Sequence, residues 1–168
     1  DLVDAEQKVS DYEVYLRLVS SDGIPQLIIN DALPIIENEV NAVLDHMMAG
    51  FQLGIASEKN SINLYIRYDD QEWPLSLSSG MEKFVSSLAL RVGLINVSNL
   101  PSPNFLVIDE GFGTLDSENL SNMKGAFDYL KTNFQSVFII SHLDTIKDFM
   151  DYLLPINVEK EHSSIVFN

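Results

Sequence analysis

Hydrophobic positions along the chain alternate between helical and strand periods. Leu2, Ala5, Val9, Tyr12, Leu16 and Val19 recur at alternating spacings of 3 and 4, the a/d repeat of a coiled coil. The stripe covers about two and a half heptads, which leaves two readings open: the start of a coiled coil, or one amphipathic helix packed on a core. Ser20-Ser21-Asp22-Gly23 breaks the pattern, with Gly23 suited to the C′ position of the helix it ends. A second helix is expected to begin near Pro34, a residue tolerated in a first turn, and to bury Ile36, Val40, Val43 and Met47. Phe51–Ser57 and Ile62–Tyr68 alternate as strands around the polar turn Glu58-Lys59-Asn60-Ser61. Helix resumes after Ser79 and runs to about Val97, before the breaks at Pro101 and Pro103. Two apolar runs, Phe105–Ile108 and Ser136–Ile140, read as buried strands, with helices expected at 117–133 and 143–150. Short strands are expected at Leu153–Asn157 and Ser164–Phe167.

The pattern describes one α/β domain, and composition adds limits to it. A chain of 168 residues with 46% hydrophobic content supports a real core. It has no cysteine, so disulfides and thiolate metal sites are excluded, which fits an intracellular compartment. No apolar run reaches membrane-spanning length, and the acidic start Asp1-Leu2-Val3-Asp4 does not resemble a signal peptide, so no membrane partner is expected. Opening on Asp1 rather than Met is expected of a fragment or a processed chain. The net charge of −15 opposes direct binding of a phosphate backbone, so any DNA contact requires a basic surface supplied elsewhere.

The candidate chemistry sits at strand ends. The run Phe105-Leu106-Val107-Ile108 finishes in the adjacent acids Asp109-Glu110 and continues into Gly111-Phe112-Gly113-Thr114-Leu115-Asp116. An apolar strand gains nothing from paired charge at its tip, whereas a Mg²⁺-nucleotide site needs one carboxylate for the metal and another to act on water. On that chemistry Asp109 is the metal ligand and Glu110 the base. Ser136–Ile140 ends in Ser141-His142, and His142 could meet a γ-phosphate. Asp116 is either an N-cap of the following helix or part of the site. Upstream, Ser79 and Glu82 have capping-box spacing, and the small residues Ser79-Gly80 leave the N–H groups of a helix start open to an anion. His46 and His162 lack supporting context and read as surface residues, and the five methionines mark core-like positions. None of the eight glycines is followed by lysine, so no phosphate-cradling Gly-x-x-x-x-Gly-Lys loop is present. The residues make half of a nucleotide site.

Taken in order, Ser79-Gly80-Met81-Glu82-Lys83, the acidic strand Phe105–Glu110, the loop Thr114-Leu115-Asp116 and Ser141-His142 resemble the C-terminal half of an ABC-type ATPase head. The heptad helix before them narrows the resemblance to the coiled-coil branch. The Ile24-Pro25-Gln26 to Asn41 segment and Leu88-Ala89-Leu90-Arg91 look most like SbcC-type DNA double-strand-break-repair ATPases, with SMC proteins as near relatives. The resemblance implies an α/β C-terminal lobe over 23–168, with residues 1–22 as the truncated base of a coiled coil. It implies ATP and Mg²⁺ as cofactors, with Asp109 supporting the metal, Glu110 as catalytic base and His142 as switch residue. Ser79 and Gly80, with Met81 beside them, would face a γ-phosphate held by a second head, and Asp116 would order the loop across the dimer. Implied partners are the N-terminal lobe of the same ATPase, a second head, an SbcD-type nuclease and double-stranded DNA reached through the assembled complex. With the register fixed by Leu88-Ala89-Leu90-Arg91, Met81 stands where the family's signature has its second glycine; a register begun at Ser78 restores a glycine there but mismatches the helix. Two other functions remain open at this point: an SMC-like clamp that recruits no nuclease, and a degenerate lobe that serves only for interaction. A transporter domain is disfavoured by the coiled-coil spacing.

Overall fold

The computed structural model describes residues 2–47, 49–58, 61–112, 123–159 and 162–165. The chain divides into two compact units, Asp1–Pro103 and Asn104–Asn168.

In the first unit, helix α1 (Leu2–Val19) buries none of its residues. Leu2, Val9, Tyr12, Leu16 and Val19 are each at least half exposed, so the stripe is not packed on a core of this chain. Helix α2 (Ile24–His46) starts ten residues before the expected position and carries Pro34 in its interior. Pro25 supplies the first-turn proline, and the helix continues through Pro34 at the loss of one backbone hydrogen bond. Gly23 is the N-cap of α2 rather than a C′ residue in the left-handed region. A Cβ there would meet the Leu18 and Arg17 carbonyl oxygens at 2.3 and 2.4 Å, so glycine is required by close approach of the chain.

Strands β1 (Gln52–Glu58), β2 (Ser61–Tyr68) and β3 (Gln71–Pro74) form an antiparallel sheet in that order. The two expected strands pair from Gln52↔Arg67 to Glu58↔Ser61; β3 was not apparent from sequence periodicity and is only four residues long. The outer edge of β1 is closed by side chains of α2. Asn41 accepts from the Leu53 N–H at 2.7 Å and donates to the Leu53 carbonyl at 3.0 Å. Glu37 Oε2 accepts from the Ile55 N–H at 2.7 Å, while its Oε1 accepts from Arg67 Nη1 at 2.8 Å. An amide and a carboxylate therefore stand where a fourth strand would otherwise be needed.

Helix α3 (Gly80–Val97) packs on α2. Val40, Val43, Leu44 and Met47 of α2 meet a core that includes Val85, Leu88, Ala89 and Val92 of α3 with Leu53 and Ile66 from the sheet. Ile36, expected in this core, is half-buried, and Leu33 and Leu44 join it instead.

In the second unit, β4 (Phe105–Asp109) and β5 (Ser136–Ile140) pair in parallel, with Asp109 opposite Ile140. Helix α4 (Lys124–Asn133) buries Ala126, Phe127 and Leu130. The segment expected as helix 143–150 is a 3₁₀ helix, Asp144–Phe149. The tail forms a hairpin of β6 (Ile156–Glu159) and β7 (His162–Ile165), displaced from the expected strands at both ends. The expectation that the two apolar strands are buried throughout is corrected here. Leu106, Ile108, Val137 and Ile139 are the more buried set, whereas Phe105, Val107, Phe138 and Ile140 are 48–54% exposed on the opposite face. Alternation along a strand sends neighbouring side chains to opposite faces, and only one face is covered within this chain.

The α2–α3 contact leaves no room for a larger residue at Gly93, where a Cβ would lie 2.8 Å from Val40 Cγ2 and 3.3 Å from Val40 Cα. Val40 is fully buried and stiff about χ1. Overpacking costs about 1–3 kcal/mol, against a helix-propensity gain of about 1 kcal/mol. Gly93→Ala is expected to lower the urea midpoint with an unchanged m-value; a raised midpoint would show that the helices separate freely.

Candidate active site

Parallel pairing of β4 and β5 brings both chemistry-bearing ends to the same edge of the sheet. The Glu110 N–H donates to the Ile140 carbonyl at 2.9 Å, carrying the ladder one residue beyond β4. There the chain turns sharply, with Glu110 at φ 49° and Gly111 at φ 111°. A glutamate in the left-handed region carries local backbone strain, a feature found disproportionately where a side chain is held for function. From the end of β5, His142 Nδ1 lies 3.6 Å from Glu110 Oε1, and both side chains are more than 70% exposed. The Ser141 hydroxyl accepts from the Leu143 N–H at 3.1 Å and shapes the turn that carries His142. Asp109 is exposed at the last position of β4. A carboxylate pair and an imidazole thus share the C-terminal edge of a parallel sheet, the edge where open α/β sheets bind ligands.

The candidate anion-facing residues belong to the first unit. Ser79 caps α3, and both arms of the capping box are formed: the Glu82 N–H donates to Ser79 Oγ at 3.2 Å, and the Ser79 N–H donates to Glu82 Oε2 at 2.6 Å. Gly80 is the first helical residue and Met81, half-buried, the second. N–H groups at these positions precede any acceptor within their own helix. Ser78, one residue earlier, is 8% exposed, and its Oγ is buried without a hydrogen-bond partner among the described residues.

Sequence spacing gave no sign of a further contact at this helix start. The Tyr68 hydroxyl donates to Glu82 Oε1 at 2.6 Å. Its ring stacks on Trp73 at 5.5 Å between centroids and meets Phe51 at 5.7 Å. Burial, reinforced by the Glu82 hydrogen bond, raises the Tyr68 phenol far above its usual value. Burial acts to raise the Glu82 carboxyl too, but hydrogen bonds from Tyr68 and from the Ser79 side chain and backbone outweigh it and hold it below the usual carboxylate value. Tyr68 could be read in advance only as the last residue of a strand, because its partner lies 14 residues along the chain on another element.

Asp116, with Thr114 and Leu115, lies outside the described residues. His46 and His162 are exposed, as expected. Among the described residues, no three His, Cys, Asp or Glu side chains converge as a metal cage. Among the described residues, no helix is long and apolar enough to cross a membrane.

No family model matches the chain. It is 35% identical over 182 residues to uncharacterized protein R555 of Acanthamoeba polyphaga mimivirus, covering 98% of this chain and 13% of the relative. It is 34% identical over 110 residues to the SbcC component of the Staphylococcus aureus nuclease SbcCD, covering 63% of this chain and 11% of the relative. Its fold matches a structure from work on ATP-driven dimerisation and DNA-stimulated activation of SMC ATPases, with a TM-score of 0.65 at 13% identity over 83% of this chain and 86% of that one. The chain is thus similar in sequence to SbcC over 63% of its length and has the fold of an SMC-type ATPase head. It spans about an eighth of the length of these curated relatives, 13% and 11%.

Within this head lobe, the capping-box carboxylate offers a direct check on the helix start. Because the folded Glu82 value is depressed, its stabilising contribution is present above the ordinary carboxyl value of 4.5 and is lost as pH falls through the depressed folded value. The stability difference between the parent and Glu82→Gln is therefore expected to be constant near neutrality and to shrink below about pH 4.5. Urea midpoints measured from pH 7 to pH 3 test this; a difference that widens on acidification would contradict the assignment.

Proposed function

We propose that this lobe belongs to an ATP hydrolase whose head closure gates the binding and processing of DNA ends. The observation that carries the reading is the meeting of Glu110 and His142, 3.6 Å apart at the ends of adjacent parallel strands. Asp109, the acid next to Glu110, suits Mg²⁺, which keeps several waters and takes one or two protein carboxylates beside substrate phosphates. Asp109 would hold Mg²⁺ through water, and ATP would be supplied with its phosphate cradle by the N-terminal lobe. When bound, the metal neutralises charge on the transferring phosphoryl group.

The residues of this chain have separate roles in that scheme. Glu110 orients the attacking water and accepts its proton. His142 sits beside that carboxylate, 3.6 Å from it, and would contact the terminal phosphate of a bound ATP. Ser79, Gly80 and Met81 open α3, whose dipole and first-turn N–H groups favour an anion presented by a second head. Asp116 would order the loop that crosses to a second head. Met81 replaces a glycine of the family signature and narrows the space at that helix start.

The exposed apolar face of β4 and β5 supports pairing with the N-terminal lobe, since parallel strands are stable when covered on both sides. The exposed stripe of α1 supports residues 1–22 as the base of a coiled coil and as a place for an SbcD-type nuclease to attach, with residues 23–168 forming the lobe proper. The charge of −15 supports DNA contact through the assembled machine rather than through this lobe. The SMC-like fold also favours a second reading, a DNA clamp without a nuclease. Retention of a nuclease partner by the full-length protein separates the two.

In the full-length protein, Glu110→Gln is expected to bind ATP and dimerise while hydrolysing it at least about 100-fold more slowly, the usual scale for loss of a general base. Steady-state hydrolysis with and without linear duplex DNA is the measurement. Parental turnover by this variant would remove Glu110 from the role of base.

A further inference from the structure

Resting on the proposed ATPase reading, we propose that Tyr68 is a positioning residue for Ser79, acting through Glu82. The two oxygens of the Glu82 carboxylate divide the contacts between them. Oε2 accepts from the Ser79 N–H and Oε1 from the Tyr68 hydroxyl, both at 2.6 Å. A capping box by itself fixes the helix start only with respect to its own first turn. The Tyr68 bond ties that turn to the sheet.

Tyr68 is well placed to serve as an anchor. It is the last residue of β2, paired with Gln71 of β3 across the turn at Asp69 and Asp70. Its ring lies between Trp73, stacked with an interplanar angle of 18°, and Phe51, which is 5% exposed. The adjacent Arg67 pairs with Glu37 of α2 and Glu72 of β3, so the end of β2 is held on both sides. The hydroxyl therefore projects from a rigid ring on a fixed strand, and Glu82 conveys that position to Ser79. The Ser79 Oγ accepts from the Glu82 N–H, so the side chain as well as the backbone of Ser79 is set by Glu82. Contacts that act in a transition state tolerate displacements of roughly 0.5 Å, and a misplacement of about 1 Å can cost about 100-fold in rate.

The test uses the full-length protein. Tyr68→Phe keeps the ring against Trp73 and Phe51 and removes only the hydroxyl. Loss of one hydrogen bond to a charged group is expected to lower kcat about tenfold. KM for ATP should stay within about twofold, because the nucleotide is held by the other lobe while Ser79 meets only its terminal phosphate. In a Glu82→Ala background, which removes both contacts, the same substitution should change kcat by less than about twofold, since the route to Ser79 is already cut. Ser79→Arg, which obstructs the helix start, serves as the reference. If Ser79→Arg abolishes turnover while Tyr68→Phe keeps parental kcat, the positioning role is overturned and the ATPase reading stands. Undiminished turnover by Ser79→Arg would overturn both. A tenfold loss repeated in the Glu82→Ala background, or a matching rise in KM, would show that Tyr68 acts by another route and overturn the inference.

Discussion

In-register parallel pairing of β4 with β5 is the constraint on which the candidate chemistry depends. The two strands are far apart along the chain, yet the ladder sets Asp109 beside Ile140, and the Glu110 N–H extends it by one bond. Parallel direction puts both C-terminal ends at one edge. A slip of one residue would send Asp109 to the other face and carry Glu110 away from His142. The left-handed conformation of Glu110 follows from the same geometry, because the chain must leave the sheet immediately after its last ladder bond.

A different device sets the helix start in the other unit. The capping box is a local feature, formed between residues three apart. Tyr68 changes its status by joining it to a sheet that is itself tied to α2 through Asn41 and Glu37. Polar side chains here do the work of ladder hydrogen bonds at an edge strand and of an anchor at a helix end. Each is satisfied by a specific partner, which is the condition under which partly buried polar groups stabilise rather than cost. Beneath them the apolar contact of α2 with α3 is tight enough that Gly93 has no room for a methyl group.

Among the described residues, the stripe along α1 and one face of the β4–β5 pair are exposed. Both are regular, one at heptad spacing and one at strand spacing, so they are organised faces rather than scattered surface residues.

Much of the fold was legible in the sequence because it is governed by short-range rules. Helix α3 and its capping box, the β1–β2 hairpin and the strand ending in Asp109-Glu110 follow from periodicity, capping and turn chemistry within a few residues. The beginning of α2 was misplaced because Pro25 and Pro34 carry the same first-turn signal, and only packing along Val40, Val43 and Leu44 decides between them. Strand β3 escaped notice because four residues hold too little pattern, and its existence is decided by pairing with β2. The sequence by itself determined which residue types end the strands and open the helix. Tertiary structure alone decided that Glu110 meets His142 and that Tyr68 meets Glu82, because those distances depend on strand direction and register, which no local spacing encodes.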